Sequence, residues 1–441
     1  MPDGSSGPGA SDPPTAGRPH PTAAEPGAPP TPAPLVNAVA KRPPFGLILS
    51  ITITGIVGST IVSPVTPDIV AELGGGDRAI GFLVAAVAAP GIVLAPIIGV
   101  LADRYGRREI LVPCLAIFGI AGGLAAFAPS LGVLIVLRLF QGIGSAGLIN
   151  LAVTLIGDHW EGVERAKKIG QNAAVLTSAI LFAPPLGGLL GTVFSWRAAF
   201  LPLWFAVVTA AIVWRVLPAG VRHDASIADQ LRAAAPFLKT ATVAGAIVAG
   251  FITFLLIFGL FLTLMPAFLA REFGAPAALR GVVAGAPAIP STIAALSLGR
   301  LRRRLSLSAL VAGAALCLSL GFALVSVAPA IWVVVIAVVV YGMGEGVMIP
   351  VLQDAVAGAA PGASRGSVVA IFVGAVRLGQ TSGPLVAAQS LATLGARSTF
   401  AIGAVVAGGL ALLAPIGAWR LVSRRPNEGS TDGGAVPIAP G

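Results

Sequence analysis

Displaced by 200 residues, this chain falls onto its own punctuation. Gly81, Pro90, Gly99 and Arg104 meet Gly281, Pro290, Gly299 and Arg304. Further along, Gly142, Gly144, Pro184, Arg197 and Phe200 meet Gly342, Gly344, Pro384, Arg397 and Phe400. Chance identities in an Ala/Gly-rich chain would fall mostly on Ala, Leu and Val. These fall on turn formers and Arg, the residues that mark helix ends and loops. The chain is read as a duplication of one hydrophobic unit.

Only 10% of its 441 residues are charged and its mean hydropathy is +0.92. A soluble domain carries roughly 25% charged residues, so the chain belongs in a membrane. A spanning helix needs about 20 apolar residues. Twelve spans satisfy this: 46–67, 79–101, 110–128, 131–156, 169–193 and 197–217 in the first unit, then 241–269, 279–299, 306–328, 330–353, 367–392 and 398–420 in the second. The expected fold is an all-α membrane protein of two six-helix pseudo-repeats, 45–217 and 241–421. A cytoplasmic linker, 218–240, joins them, and tails 1–44 and 422–441 flank them. The Pro/Gly/Ala-rich first tail buries too little apolar surface to offset its ordering entropy and is expected to be disordered. It has neither the basic start nor the apolar stretch of a signal peptide.

A net charge of +10 would suit nucleic acid, but its distribution excludes that reading. With the N-terminus inside, twenty lysines and arginines fall on the cytoplasmic side. Only Arg78, Arg197, Arg271, Arg280 and Arg397 fall on the other. Such a bias orients a protein in its membrane and predicts both termini in the cytoplasm. Cys114 and Cys317 fall inside spans as small hydrophobes. His20, His159 and His223 show no metal-ligand spacing, and there is no phosphate-binding Gly-Lys-Ser/Thr loop. No metal or cofactor is expected, and no enzyme, since paired acids or a His/Asp cluster at one membrane face are missing.

Span 2 closes on Gly99-Val-Leu-Ala-Asp103-Arg104-Tyr-Gly106-Arg107-Arg108. Gly99 would let helices approach closely, Gly106 permits a tight turn, and Asp103 is an acid able to pair with an Arg or a helix end. The segment resembles the signature loop of the major facilitator superfamily, G-x-L-a-D-R-x-G-R-[RK], with every key position filled. The resemblance covers residues about 45–420 and implies a transporter working by alternating access. It further implies that this loop is a latch between the halves, closed when the protein faces outward. Asp158, at the end of span 4, stands where the family places the acid that pairs with the second Arg, here Arg107. The repeat copy, Gly299-Arg-Leu301-Arg-Arg303-Arg304, has Arg303 in place of Asp103 and is expected to lack an acid-based latch.

Arg138-Leu-Phe-Gln141-Gly142-Ile-Gly144 in span 4 resembles the family's R-x-x-Q-G-x-G motif, linked to coupling in proton-driven members. An Arg inside a span costs about 2.5 kcal/mol or more, so Arg138 should face a wet cavity or pin helices through their carbonyls. Span 5 runs Gly170 … Ala179-Ile-Leu-Phe-Ala183-Pro184-Pro185-Leu-Gly187-Gly188. It resembles the antiporter motif of exporters, with Ala at two Gly positions; tight interhelical packing alone would also use these residues.

Glu345 in span 10 stands nine residues before Asp354, or ~13 Å from the cytoplasmic end at about 1.5 Å per residue. Helical spacing puts it on one face with Val338, Tyr341 and Ile349. In the superfamily spans 1, 4, 7 and 10 line the central cavity. The resemblance therefore implies that Glu345 and Arg138 face it together, as an acid for protons or cationic substrate, while Arg377 in span 11 is a competing structural partner. Phe251, Phe254, Phe258 and Phe261 in span 7 could give an aromatic cavity or a lipid-facing stripe. The reading is a monomeric cell-membrane exporter of small lipophilic molecules driven by protons and embedded in lipid. The rivals are an uptake carrier of the same fold, a membrane-embedded enzyme and a transporter-fold sensor.

Overall fold

The computed structural model describes residues 42–218, 240–359 and 362–414. The expected tails and linker lie outside the described residues apart from their edges. So do Lys41, Arg222, Arg232, Lys239, Arg420, Arg424 and Arg425 of the cytoplasmic charge count. Within the described residues the chain from Arg42 onward packs as one compact unit, and its regular structure is helical throughout.

Among the described residues twelve helical segments are long and apolar enough to cross a membrane: α1 Phe45–Glu72, α2 Asp77–Tyr105, α3 Arg107–Phe127, α4 Leu131–His159, α5 Gly162–Val193, α6 Trp196–Val216, α7 Thr242–Phe273, α8 Ala277–Leu301, α9 Leu307–Ser326, α10 Ile331–Gly358, α11 Val368–Leu394 and α12 Ala396–Leu413. They match the expected spans to within a few residues at most ends. Several, such as α1, α5 and α10, run longer because polar caps that a hydropathy window trims off are helical too, whereas α9 is slightly shorter at both ends. Ser130 Oγ accepts from the Val133 amide to start α4, and Ser306 Oγ accepts from the Ala309 amide to start α9. Between α2 and α3 the chain turns in one residue, Gly106, whose φ of 104° is open chiefly to glycine.

The repeat recurs in space. α3 packs on α4 and α6 as α9 packs on α10 and α12, and α1 meets α5 as α7 meets α11. Each half has its own aromatic core. Trp196 stands edge-on to Phe200 at 6.0 Å in the first, and Phe268 to Phe400 at 5.4 Å in the second.

α7 departs from its repeat mate. Ile257–Leu264 is a π-helical segment, and Thr263 Oγ1 donates to the Phe258 carbonyl five residues back at 2.6 Å. The Leu262 carbonyl accepts from Ser63 Oγ of α1 at 2.7 Å, so the widened turn is held by the other half. The α7 phenylalanines do not form a lipid-facing stripe. Phe261 is buried and stacks on Tyr341 at 4.6 Å, and Phe251, Phe254 and Phe258 are half-buried.

Candidate functional site

The halves meet along two seams, α5 against α8 and α2 against α11. Small residues make this possible, since only backbones without side chains approach closely enough. A β-carbon on Gly188 would run into the Ala277 carbonyl, one on Gly281 into that of Pro184, and one on Gly187 into that of Ile61 in α1. One on Gly81 would stand 2.5 Å from the Pro384 carbonyl oxygen. The α5 sequence Ala183, Pro184, Gly187 and Gly188 is buried here, its prolines inside an unbroken 32-residue helix. Ala179 lies further along α5, half-buried in an apolar crevice shared with α1, α3 and α6. Gly170 is not part of the seam: it is exposed, with open space where a β-carbon would be.

The same end carries the ion pairs that cross between halves among the described residues. Asp68 of α1 accepts from Arg280 of α8 at 2.6 Å, and Asp77 of α2 from Arg271 of α7 at 3.0 Å. Two further pairs stay within their halves. Glu72 accepts from Trp196 Nε1 at 2.8 Å and from Arg197, and Glu272 accepts from Arg397 at 3.0 Å. None of these acids was singled out from the sequence as a partner. A signal existed for one set: Glu72 and Glu272 obey the same 200-residue shift as Arg197 and Arg397.

At the opposite end the signature loop is tied inside the first half. Arg107 pairs with Asp103 one turn earlier and with Asp158 of α4, Nε to Oδ2, at 3.0 Å. Arg104 lies over the Tyr105 ring at 5.5 Å, and Arg108 over Trp214 at 4.1 Å. Gly99 permits no close helix approach here, since nothing lies within 4 Å of its missing β-carbon. The repeat copy carries a tie that was not expected from the sequence, though not a latch between the halves. Although Arg303 replaces the acid, Arg302 reaches Asp354 of α10, so the end of α8 is still tied to α10 within the second half.

Near mid-span the expected partners are apart. Arg138 is 3% exposed and donates to the carbonyls of Gly58 at 2.9 Å and Leu83 at 3.4 Å, and to Gln141 Oε1 at 2.9 Å. It pins α1, α2 and α4 within the first half and does not reach Glu345; the carbonyls satisfy its charge where no acid is at hand. Gln141 is wholly buried beside it. Tyr341 does not line a cavity, being stacked on Phe261 and covered by the tilted ring of Phe322. Glu345 is half-buried and makes no hydrogen bond or ion pair with a described residue. Arg377 bonds Gln380 at 3.3 Å and leans on Gly91 of α2, not on Glu345. A carboxyl and a guanidinium are thus held mid-span without mutual neutralisation, an arrangement that costs stability unless water or another charged group reaches it. Among the described residues no three His, Cys, Asp or Glu side chains gather as metal ligands.

The architecture is thus two pseudo-repeated six-helix bundles, seamed at one end and separately tied at the other. The family model of the Major Facilitator Superfamily matches residues 47–328 and, overlapping them, 246–440; the chain belongs to that superfamily, a family of transporters and not of enzymes, and its described residues include twelve helices long and apolar enough to cross a membrane. It is 31% identical over 150 residues to a bacillibactin exporter of Bacillus subtilis (strain 168), an alignment covering 32% of this chain and 37% of that one. It is 35% identical over 155 residues to the multidrug transporter protein MdtP of the same organism, covering 35% and 28%. The matched stretch thus spans well under half of either relative. The class D tetracycline resistance protein of Salmonella ordonez is 26% identical over 353 residues, covering 78% of this chain and 88% of its own length. In fold the chain is similar to the nucleoside transporter NupG, with a TM-score of 0.69 at 14% identity, covering 84% of this chain and 99% of that one. It is equally similar to a D-xylose-proton symporter, 0.69 at 16%, covering 83% and 95%.

Proposed function

We propose that this protein is a proton-driven exporter of small lipophilic molecules, working as a monomer in the cell membrane with both termini in the cytoplasm. Residues 45–217 and 241–421 are the two rocking halves, linked through 218–240 and flanked by the tails 1–44 and 422–441. In this orientation the seamed end is the outer one, and the arrangement described faces the cytoplasm. The Asp103–Arg107–Asp158 cluster is then a released latch, which engages the second half when the protein turns outward. Gly99, Arg104, Gly106 and Arg108 shape and anchor that loop.

The observation that carries the reading is Glu345. It is the one carboxylate among the described spans more than two helical turns from either end, and it makes no hydrogen bond or ion pair with a described residue. A lone acid at that depth is a site for proton exchange by default. Arg377 is the second charge at this level, and Arg138 with Gln141 braces the helices around it. The seam residues Pro184, Gly187 and Gly188 support export rather than uptake through the motif they resemble, as do the relatives named for export and drug resistance.

The test is transport into inside-out vesicles under an imposed proton gradient, using lipophilic dyes and drugs, with and without a protonophore. Glu345→Gln is expected to abolish uphill transport and leave downhill exchange intact. Uphill transport at the wild-type rate by a stably expressed Glu345→Gln protein would remove Glu345 from coupling. Gradient-driven movement out of such vesicles would make the protein an uptake carrier.

A further inference from the structure

Beside the tied end of the second half lies a groove of about 580 Å³ between α8, α9 and α10. Its walls are almost wholly apolar, with Ile293, Leu301, Leu305, Leu310 and Met343 among them. Ile293 and Met343 are 62% and 49% exposed, so the groove opens on the outer, lipid-facing flank of the bundle. At its mouth the chain reads Arg300-Leu301-Arg302-Arg303-Arg304-Leu305, so two leucines that line the groove bracket three arginines and a fourth precedes them.

Arg302 is occupied by Asp354. Arg300, Arg303 and Arg304 are exposed, and no described residue pairs with their guanidinium groups. This is unlike the first copy, where Arg107 has two acids and Arg108 a carbonyl and an indole ring. Four guanidinium groups within five residues repel one another, and the local sequence supplies no acid to offset them. We propose that this groove binds an anionic diacyl phospholipid, an acyl chain along α8–α10 and the phosphate on Arg300, Arg303 and Arg304. Charge complementarity calls for the anion, and the apolar groove at membrane depth calls for a tail attached to it. A free phosphate gains nothing from the groove, and a zwitterionic lipid gains little from the arginines. The site is independent of what the protein carries.

The experiment is native mass spectrometry of the full-length protein in detergent, titrated with phosphatidylglycerol, phosphatidylcholine and glycerol phosphate. Two variants probe the two parts of the site. Arg300→Gln/Arg303→Gln/Arg304→Gln empties the mouth and leaves Arg302 with Asp354. Gly313→Leu fills the groove from α9, where nothing lies within 4 Å of the glycine's missing β-carbon, so the change is tolerated by the fold. The wild type is expected to prefer phosphatidylglycerol over phosphatidylcholine. The triple variant should lose this preference by on the order of ten- to a hundredfold, from about fivefold per arginine at a charged membrane surface. Gly313→Leu should weaken both lipids. Equal binding of both lipids by the wild type would overturn the site. So would competition by glycerol phosphate as strong as by the lipid, or unaltered lipid binding in Gly313→Leu.

Discussion

The two ends of this bundle use the same ion-pair chemistry in opposite ways. At the seamed end, two acids of the first half hold two arginines of the second, over helices that touch backbone to backbone. At the other end Arg107–Asp158 and Arg302–Asp354 each close within one half. Pairs inside a half travel with it as a rigid body and survive any rocking motion. Pairs between halves must break if the seam opens, so in the proposed cycle they would set the balance between its two arrangements. The cross-half pairs also break the repeat: position 268 is Phe and 277 is Ala where the first half has Asp68 and Asp77. An asymmetric set of contacts is built on a symmetric scaffold by changing a few end residues.

The largest blow to the seam should come from Asp68→Asn. Arg280 is 3% exposed and two of its nitrogens already lack acceptors. Removing its one acid strands a buried charge at about 2–3 kcal/mol, less than the 3–5 of a fully buried pair because Asp68 is nearly half exposed. Spin labels on cysteines replacing Ala71 and Thr393 should report a separated population. Adding Arg280→Leu should restore the short distance, since removing both partners costs less than removing one. An unchanged distance in the single variant would mean that the helix contacts alone close this end.

Gly281→Val comes next. Its side chain meets the Pro184 backbone, and overpacking of this kind costs about 1–3 kcal/mol. The same label pair should lengthen while the circular-dichroism helix signal stays constant; a wild-type distance would show that α5 and α8 can slide without opening.

A smaller effect is expected from Asp77→Asn, because the Asp77–Arg271 pair is partly exposed and worth about 0–1 kcal/mol. Raising salt should mimic it in the wild type, whereas the Asp68–Arg280 contribution should resist screening. Equal salt sensitivity of both would contradict the burial difference.

Asp103→Asn should do least in the arrangement seen, about 0–1 kcal/mol for a partly exposed pair that lies within one half, with the label distance unaltered. If the loop latches the opposite arrangement, transport should still fall about tenfold for each ~1.4 kcal/mol lost there. Wild-type flux at matched protein level would separate Asp103 from the cycle.

The number of spans and the duplication were legible in the chain itself, whereas the pairing of Asp158 with Arg107 was implied only by the resemblance to the superfamily. Hydropathy over about 20 residues and identities at turn formers are properties of local sequence, and each span must satisfy its own backbone in the membrane regardless of its neighbours. The direction of Arg138 was not legible. A guanidinium can be satisfied by carbonyls as well as by a carboxylate, and only packing decides which is within reach. Tyr341 shares a helical face with Glu345 by spacing, yet Phe261 and Phe322 enclose the ring and leave the acid alone. The cross-half pairs were hidden for a similar reason. Asp68 and Arg280 are 212 residues apart with no repeat relation between them, and they meet only because one particular docking of the halves brings α1 and α8 together. Sequence determined the helices and the pseudo-symmetry, which are short-range consequences of apolarity and turn chemistry. Tertiary structure decided which end is closed and which charges are left without partners, because those depend on how two nearly equivalent bundles dock.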